Sequence, residues 1–225
     1  MDFARVIEQS TPLLLTGARM TVIISVGAIL FGVLVGLIAC LMGMSKIAPV
    51  RWISNFYVWV IRGTPMLVQA YLIYFGVPQV VRLVNPDFRM TIVLAGIITL
   101  SLNASAYLSE IFRGGINAVP RGQSEAARSL GLSQGKTMRK VVLPQAVRIS
   151  LPSMINQFII TIKDTSILSA IGLAEIINQA KVYVGKSYLF FETYLFAAVF
   201  YLVIISVLMI LSKQLEAKIS YDRKN

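Results

Sequence analysis

The sequence contains no histidine and only one cysteine, Cys40. An intrachain disulfide therefore cannot form. The chain also lacks the imidazole that most often serves as the base in acid–base and nucleophilic catalysis. No cluster of cysteine and carboxylate residues has the spacing of a metal site. We therefore expect no catalytic site in this chain, and no metal or cofactor bound by it.

Charged residues are scarce as well. They make up 14% of the chain, hydrophobic residues make up 56%, and the mean hydropathy is +0.75. Soluble domains average about 25% charged residues, so this composition predicts an integral membrane protein. The net charge of +11 could indicate nucleic-acid binding in a soluble chain. Here the basic residues lie mostly between apolar runs, which favours contact with membrane lipid and not with nucleic acid.

Five apolar segments approach the roughly 20 residues that cross a bilayer as a helix. They are residues 20–44, 52–77, 90–112, 147–170 and 190–212. The predicted fold is an all-α membrane protein with about five transmembrane helices. Between the last two segments, residues 171–189 are long enough for a short interfacial helix.

We predict one transmembrane domain at residues 19–217, which includes the loop 113–146. An amphipathic segment, residues 1–18, precedes it, and a tail, residues 218–225, follows it. If the loop 113–146 is cytoplasmic, thirteen lysines and arginines lie inside and six lie outside. The positive-inside rule then places the amino terminus outside and the carboxyl terminus inside. Gly32 and Gly36 predict a close helix contact, either within the chain or between two subunits.

The loop 113–146 has the sequence of a short helical hairpin. Pro120 suits a helix start, and the run Glu125-Ala126-Ala127 favours helix. Gly131 can end that helix in a left-handed conformation, and Ser133 can cap the next helix. Small residues on one face would let another protein dock closely.

A stretch within this loop resembles a nucleotide-binding loop but departs from it. Gly131, Gly135, Lys136 and Thr137 are one residue short of the G-x4-G-K-[ST] spacing, and no parallel-sheet pattern surrounds them. We therefore expect this chain not to bind ATP, so any energy from ATP must come from a partner.

Several motifs carry a family resemblance. Glu125-Ala126-Ala127-x3-Gly131-x9-Val141-x-Leu143-Pro144 resembles the EAA loop of ABC importer permeases. The motifs Arg62-Gly63-Thr64-Pro65, Leu102-Asn103-Ala-Ser-Ala-Tyr107 and Lys163-Asp164-Thr165-Ser166 are similar to those of the polar amino-acid branch, whose members are of the histidine, glutamine, arginine and cystine type. The resemblance extends over nearly the whole chain.

The resemblance implies a type I ABC importer permease that moves an amino acid into the cytoplasm through a bacterial inner membrane. It implies a second permease subunit, identical or similar, and an extracytoplasmic binding protein. It also implies two cytoplasmic ATPase subunits that dock on the EAA loop. The residues expected to couple to them are Arg121, Glu125, Ala126, Ala127, Arg128 and Gly131.

The solute pathway is expected to involve Arg62, Thr64, Asn103 and Asp164. Ionisable residues inside a span are costly, so they are functional candidates. Pro65 should break the second span and free a carbonyl one turn back, as in other transporters. One alternative is that Lys163 and Asp164 are neutralised by each other or by groups on other helices. Another is that Pro65 only shapes the packing and that backbone groups hold most of the solute.

Two other functions remain open from the sequence. One is a stand-alone ion-coupled secondary transporter or channel, and the other is a membrane scaffold without transport. An odd number of spans without an internal repeat argues against the first, because many secondary transporters have paired halves. Ionisable residues within the spans argue against the second.

Overall fold

The computed structural model describes residues 2–221, with side chains up to residue 214, and every regular element in that range is helical. The α-helices are α1 Phe3–Gly43, α2 Ala48–Gly63, α3 Met66–Tyr71, α4 Val77–Val81, α5 Ile92–Asn117, α6 Arg121–Ser129, α7 Gln134–Thr137, α8 Leu143–Asp164, α9 Ile176–Ser187 and α10 Phe190–Tyr221. The π-helical turns Leu72–Gly76 and Met138–Val142 join α3 to α4 and α7 to α8, and a 3₁₀ helix, Thr165–Ile171, follows α8.

Within the described residues, three helices are long and apolar enough to cross a membrane: Phe3–Gly43, Ile92–Asn117 and Phe190–Gln214. The α2 helix and the segment Met66–Val81 meet that criterion together, as a pair bent by 106°. The predicted span 147–170 falls on α8 and the 3₁₀ helix, which do not meet it. The count of five spans and the orientation therefore remain predictions.

The first helix extends through both the predicted segment 1–18 and the first predicted span. No break separates the predicted segment 1–18 from the predicted span, because α1 is continuous from Phe3 to Gly43. Leu14 is fully buried and packs against Ile176 and Ala197. The predicted amphipathic segment thus buries its apolar face against α9 and α10. It forms the first part of α1 and not a separate helix. The predicted tail 218–225 begins within α10, and its last four residues lie outside the described range.

The core lies where α1 and α5 cross near the 3₁₀ helix. Ile24, Ala95, Leu100 and Leu168 are buried there. Gly36 permits the crossing, because an added Cβ would lie 2.8 Å from the backbone oxygen of Ser105. The small-residue pair predicted from the sequence is therefore a contact within the chain.

Gly115→Ala should destabilise the protein where α5 meets α8. A Cβ at Gly115 would overlap Ser150 Oγ and lie 2.9 Å from the backbone oxygen of Ala146. Overpacking of this kind costs about 1–3 kcal/mol, so we expect a lower thermal unfolding midpoint for the purified complex. Gly114→Ala is the matched control, because no atom lies within 4 Å of its added Cβ. Equal midpoints for the two variants would contradict the prediction.

Candidate functional site

The second predicted span is broken where the sequence predicts a break. The α2 helix ends at Gly63, and α3 begins at Met66. Thr64 is extended, with φ −120° and ψ 144°, because the ring of a following proline disfavours the helical conformation. The two helical arms therefore meet at a bend of 106°.

The side chain of Gln69 satisfies the backbone groups that this break frees. Its Nε2 donates to the carbonyl of Ile61 at 2.7 Å, which is the acceptor that lacks a donor because residue 65 is proline. The same nitrogen donates to the carbonyl of Thr64 at 3.1 Å and to Thr64 Oγ1 at 2.9 Å. The Thr64 hydroxyl itself donates to the carbonyl of Val60 at 2.8 Å. These contacts argue against a solute held mainly by freed backbone groups.

Gln69→Leu should destabilise the bend. The substitution removes the hydrogen bonds from this side chain to the Ile61 and Thr64 carbonyls, and such bonds are worth about 0.5–1.5 kcal/mol each. We expect a lower thermal unfolding midpoint for the purified complex and a smaller uptake rate. Gln79→Leu, at an exposed position of α4, is the control. An unfolding midpoint for Gln69→Leu as high as that of Gln79→Leu would show that the bend does not depend on this side chain.

Three of the four predicted pathway residues line one cavity of about 380 Å³. Its lining residues are Thr64, Pro65, Met66, Asn103, Tyr107, Gln157, Ile160, Asp164 and Ile167. We call this space the Asp164 cavity, because Asp164 is the one carboxylate among these residues. The elements that form it are the bend, α5, α8 and the start of the 3₁₀ helix.

Two buried amides face the Asp164 cavity. Asn103 is 9% exposed and Gln157 is 5% exposed. Neither side-chain amide has a hydrogen-bond partner within the part of the chain that the structure describes. Gln157 was not among the predicted site residues. Its position seven residues, or two helical turns, before Asp164 places both on one face of α8.

Arg62 lies apart from the other three predicted residues. It lines a neighbouring groove on the other side of Tyr107, with its Cζ 5.2 Å from the centre of the tyrosine ring. Arg62 Nη1 is 3.9 Å from Glu110 Oε2, and Arg113 Nη2 is 2.5 Å from the same oxygen. Glu110 is thus paired with Arg113. Among the described residues, Lys163 and Asp164 do not form a salt bridge.

The loop 113–146 contains the predicted hairpin. The α6 helix begins after Pro120 and ends in a Schellman motif, in which the N–H of Leu132 donates to the carbonyl of Ala127 at 3.2 Å. Gly131 is left-handed, with φ +83°. Ser133 precedes α7 but forms no side-chain capping bond, so that part of the expectation is wrong.

The predicted coupling residues divide into two groups. Arg121, Glu125 and Arg128 line a groove of about 600 Å³ between α6 and the chain on either side of it. Ala127 is buried, whereas Ala126 and Gly131 are exposed. Next to Gly131, the apolar side chain of Leu130 is 82% exposed. The hairpin therefore exposes charged and apolar groups side by side.

Glu175 is a fully buried carboxylate that the sequence analysis missed. It caps α9, because its oxygens accept from the N–H groups of Ile177 at 3.0 Å and Asn178 at 2.7 Å. Tyr201 of α10 donates to it at 2.6 Å. Burial raises the pKa of the Glu175 carboxyl, and these hydrogen bonds oppose only part of that rise. Glu175 therefore ties α9, the helix expected within 171–189, to α10.

Comparisons with known proteins agree with this architecture. Residues 32–221 match the family described as binding-protein-dependent transport system inner membrane component. The chain belongs to this family. The family assignment suggested by the EAA loop is therefore confirmed. Among the described residues, no three His, Cys, Asp or Glu side chains are arranged to hold a metal ion.

Two named permease proteins align with more than nine-tenths of this chain. The arginine transport system permease protein ArtQ of Bacillus subtilis is 36% identical over 219 residues, 97% of each chain. The glutamine transport system permease protein GlnP of Escherichia coli K12 is 39% identical, over 92% of this chain and 93% of the relative.

The fold is shared with solved transporters. A chain of an amino acid ABC transporter crystallised with histidines is 39% identical and superposes with a TM-score of 0.89, over 97% of this chain and 99% of that one. A chain of the inward-facing MetNI methionine transporter, at 17% identity, has a TM-score of 0.76 over 93% of this chain and 97% of that one. The all-α permease fold predicted from the sequence is therefore confirmed.

Proposed function

We propose that this permease subunit carries an amino acid into the cytoplasm of a bacterium and holds it in the Asp164 cavity. The observation that supports this most directly is that one carboxylate and two buried amides line the same cavity. Among the described residues, neither amide has a hydrogen-bond partner. An amino acid has an ammonium group, which Asp164 would bind. It also has a carboxylate, to which the amides of Asn103 and Gln157 can donate.

The names of the relatives support the same solute class. The permeases compared above are named for arginine and glutamine, and a solved relative is an amino acid transporter crystallised with histidines. Thr64 contributes to the wall of the cavity, but its hydroxyl already donates to Val60 and accepts from Gln69. We therefore assign Thr64 a shaping role and Asp164, Asn103 and Gln157 the polar contacts. Arg62 is assigned to the adjacent groove.

The energy for transport would come from partner subunits. We propose that two cytoplasmic ATPases, which bind ATP and magnesium, each receive one α6 helix, and that a second permease completes the pathway. The exposed side chains of α6 and Leu130 support a docking role. The described residues contain no strand for a nucleotide-binding loop to follow, which supports ATP binding by the partners and not by residues 131–137. In this arrangement the loop 113–146 and the tail 218–225 are cytoplasmic, and a binding protein delivers the solute on the outer side.

Reconstituted uptake tests this function. The chain, its ATPase and its binding protein would be placed in proteoliposomes, and labelled arginine, histidine, glutamine and cystine would be offered with and without ATP. Accumulation that depends on both ATP and the binding protein would support the proposal and identify the solute. Flux without the ATPase would instead favour a secondary transporter or channel. The absence of any flux would favour a scaffold.

A further inference from the structure

The groove beyond Tyr107 has no part in the function described so far. It encloses about 570 Å³ and is larger than the Asp164 cavity. Asn55, Trp59, Arg62, Tyr107, Glu110 and Arg113 contribute to its lining. Tyr107 lines both spaces, so the two spaces are adjacent. We call this space the arginine groove.

The arginine groove lies between the Asp164 cavity and the coupling loop. Asn103, Tyr107, Glu110 and Arg113 follow one another on α5 at spacings of four, three and three residues. Those spacings place their side chains on one face of a helix. From Asn103 to Arg113 the helix rises about 15 Å. A solute that moves along this face from the Asp164 cavity therefore passes Tyr107 and reaches the arginine groove on the side of α6.

The charges of the arginine groove leave one positive charge uncompensated. Arg62 and Arg113 both approach the same oxygen, Glu110 Oε2. No further carboxylate is found among the lining residues. Two guanidinium groups therefore share one carboxylate. Guanidinium groups bind carboxylates through paired N–H donors, so a second carboxylate fits this arrangement.

We propose that the arginine groove is a second binding site for the transported amino acid, which places its carboxylate against Arg62 and Arg113 after passing Tyr107. The ammonium group of the same solute would face Glu110. The proposal rests on the amino-acid transport proposed above. It also gives Arg62 a role that its distance from the Asp164 cavity would otherwise leave unexplained.

Counting the bound solute tests the proposal. Equilibrium dialysis would be performed on the purified complex of permease and ATPase subunits, without nucleotide and without the binding protein. The probe is whichever of labelled arginine, histidine, glutamine and cystine the complex takes up in the uptake experiment. We expect two molecules per permease chain in the wild type, and one in Arg113→Gln. Arg113→Lys, which keeps the charge, should retain two. The exposed residue Arg89 provides the control Arg89→Gln, which should also retain two.

A second measurement does not depend on any variant. The carboxamide of the same amino acid lacks the carboxylate charge and should fill the arginine groove about tenfold or more weakly than the parent solute. Stoichiometric binding of one molecule in the wild type, or two in Arg113→Gln, would overturn the proposal. Equal binding of the carboxamide at both sites would also overturn it. One bound molecule with normal ATP-dependent uptake rejects only the second site, whereas no uptake of any panel member rejects the proposed function itself.

Discussion

Asp164→Asn should reduce ATP-dependent amino-acid uptake by about 30-fold or more. Asp164 is the one carboxylate that lines its cavity, so the substitution removes the proposed partner of the solute's ammonium group. Loss of one member of a desolvated charge pair costs about 2–5 kcal/mol, and each 1.4 kcal/mol is a factor of ten. Asparagine has nearly the same shape as aspartate, so the cavity and the fold should be retained.

The measurement is the initial rate of uptake in proteoliposomes, with ATP hydrolysis recorded in parallel. Asp87→Asn provides the control, because it makes the same chemical change at an exposed loop position outside the proposed pathway. We expect uptake in Asp87→Asn to equal that of the wild type. Uptake in Asp164→Asn within a factor of two of the wild type would refute the assignment of Asp164 to the solute.

The second large effect is expected at the turn of the coupling hairpin. Gly131→Val should lower coupled uptake by about tenfold or more while the chain still inserts into the membrane. The φ of Gly131 is +83°, and a β-branched residue is a genuine outlier in that region. Relief of this strain would change the Schellman motif and displace Leu130, so α6 would no longer be presented to the ATPase in the same way.

Two variants separate this effect from a general loss of structure. Gly135→Val adds the same side chain four residues later, where no atom lies within 4 Å of the added Cβ and the φ is not positive. It should leave uptake near the wild-type level.

Glu125→Lys reverses a charge in the α6 groove and should uncouple ATP hydrolysis from uptake. Normal uptake and tight ATPase association in Gly131→Val and Glu125→Lys would contradict the docking role.

The features that the sequence predicted well depend on local backbone chemistry. The hairpin follows from Pro120 and Gly131, and the helix break follows from the Thr64-Pro65 pair. In each case a proline or a glycine restricts or permits a conformation within one or two residues. The sequence also predicted that Gly36 would allow a close contact between helices, although it did not indicate that the neighbouring helix is α5.

The features that the sequence did not predict depend on neighbours that are distant in the chain. The continuity of α1 from Phe3 to Gly43 was not predicted, because the apolar face of its first turns is buried by α9 and α10 and no local pattern shows this. Arg62 was grouped with Asp164 because both are ionisable residues within predicted spans, but Arg62 lines a different space from Asp164. Glu175 was missed because its partner, Tyr201, is 26 residues away.

The hydrogen bonds of Gln69 have a mechanical consequence for the transport cycle. A bend closed by contacts to Ile61 and Thr64 cannot change its angle without losing bonds worth about 0.5–1.5 kcal/mol each. The bend therefore resists a change of angle, and we expect α2 and the Thr64 wall of the cavity to move together during the transport cycle.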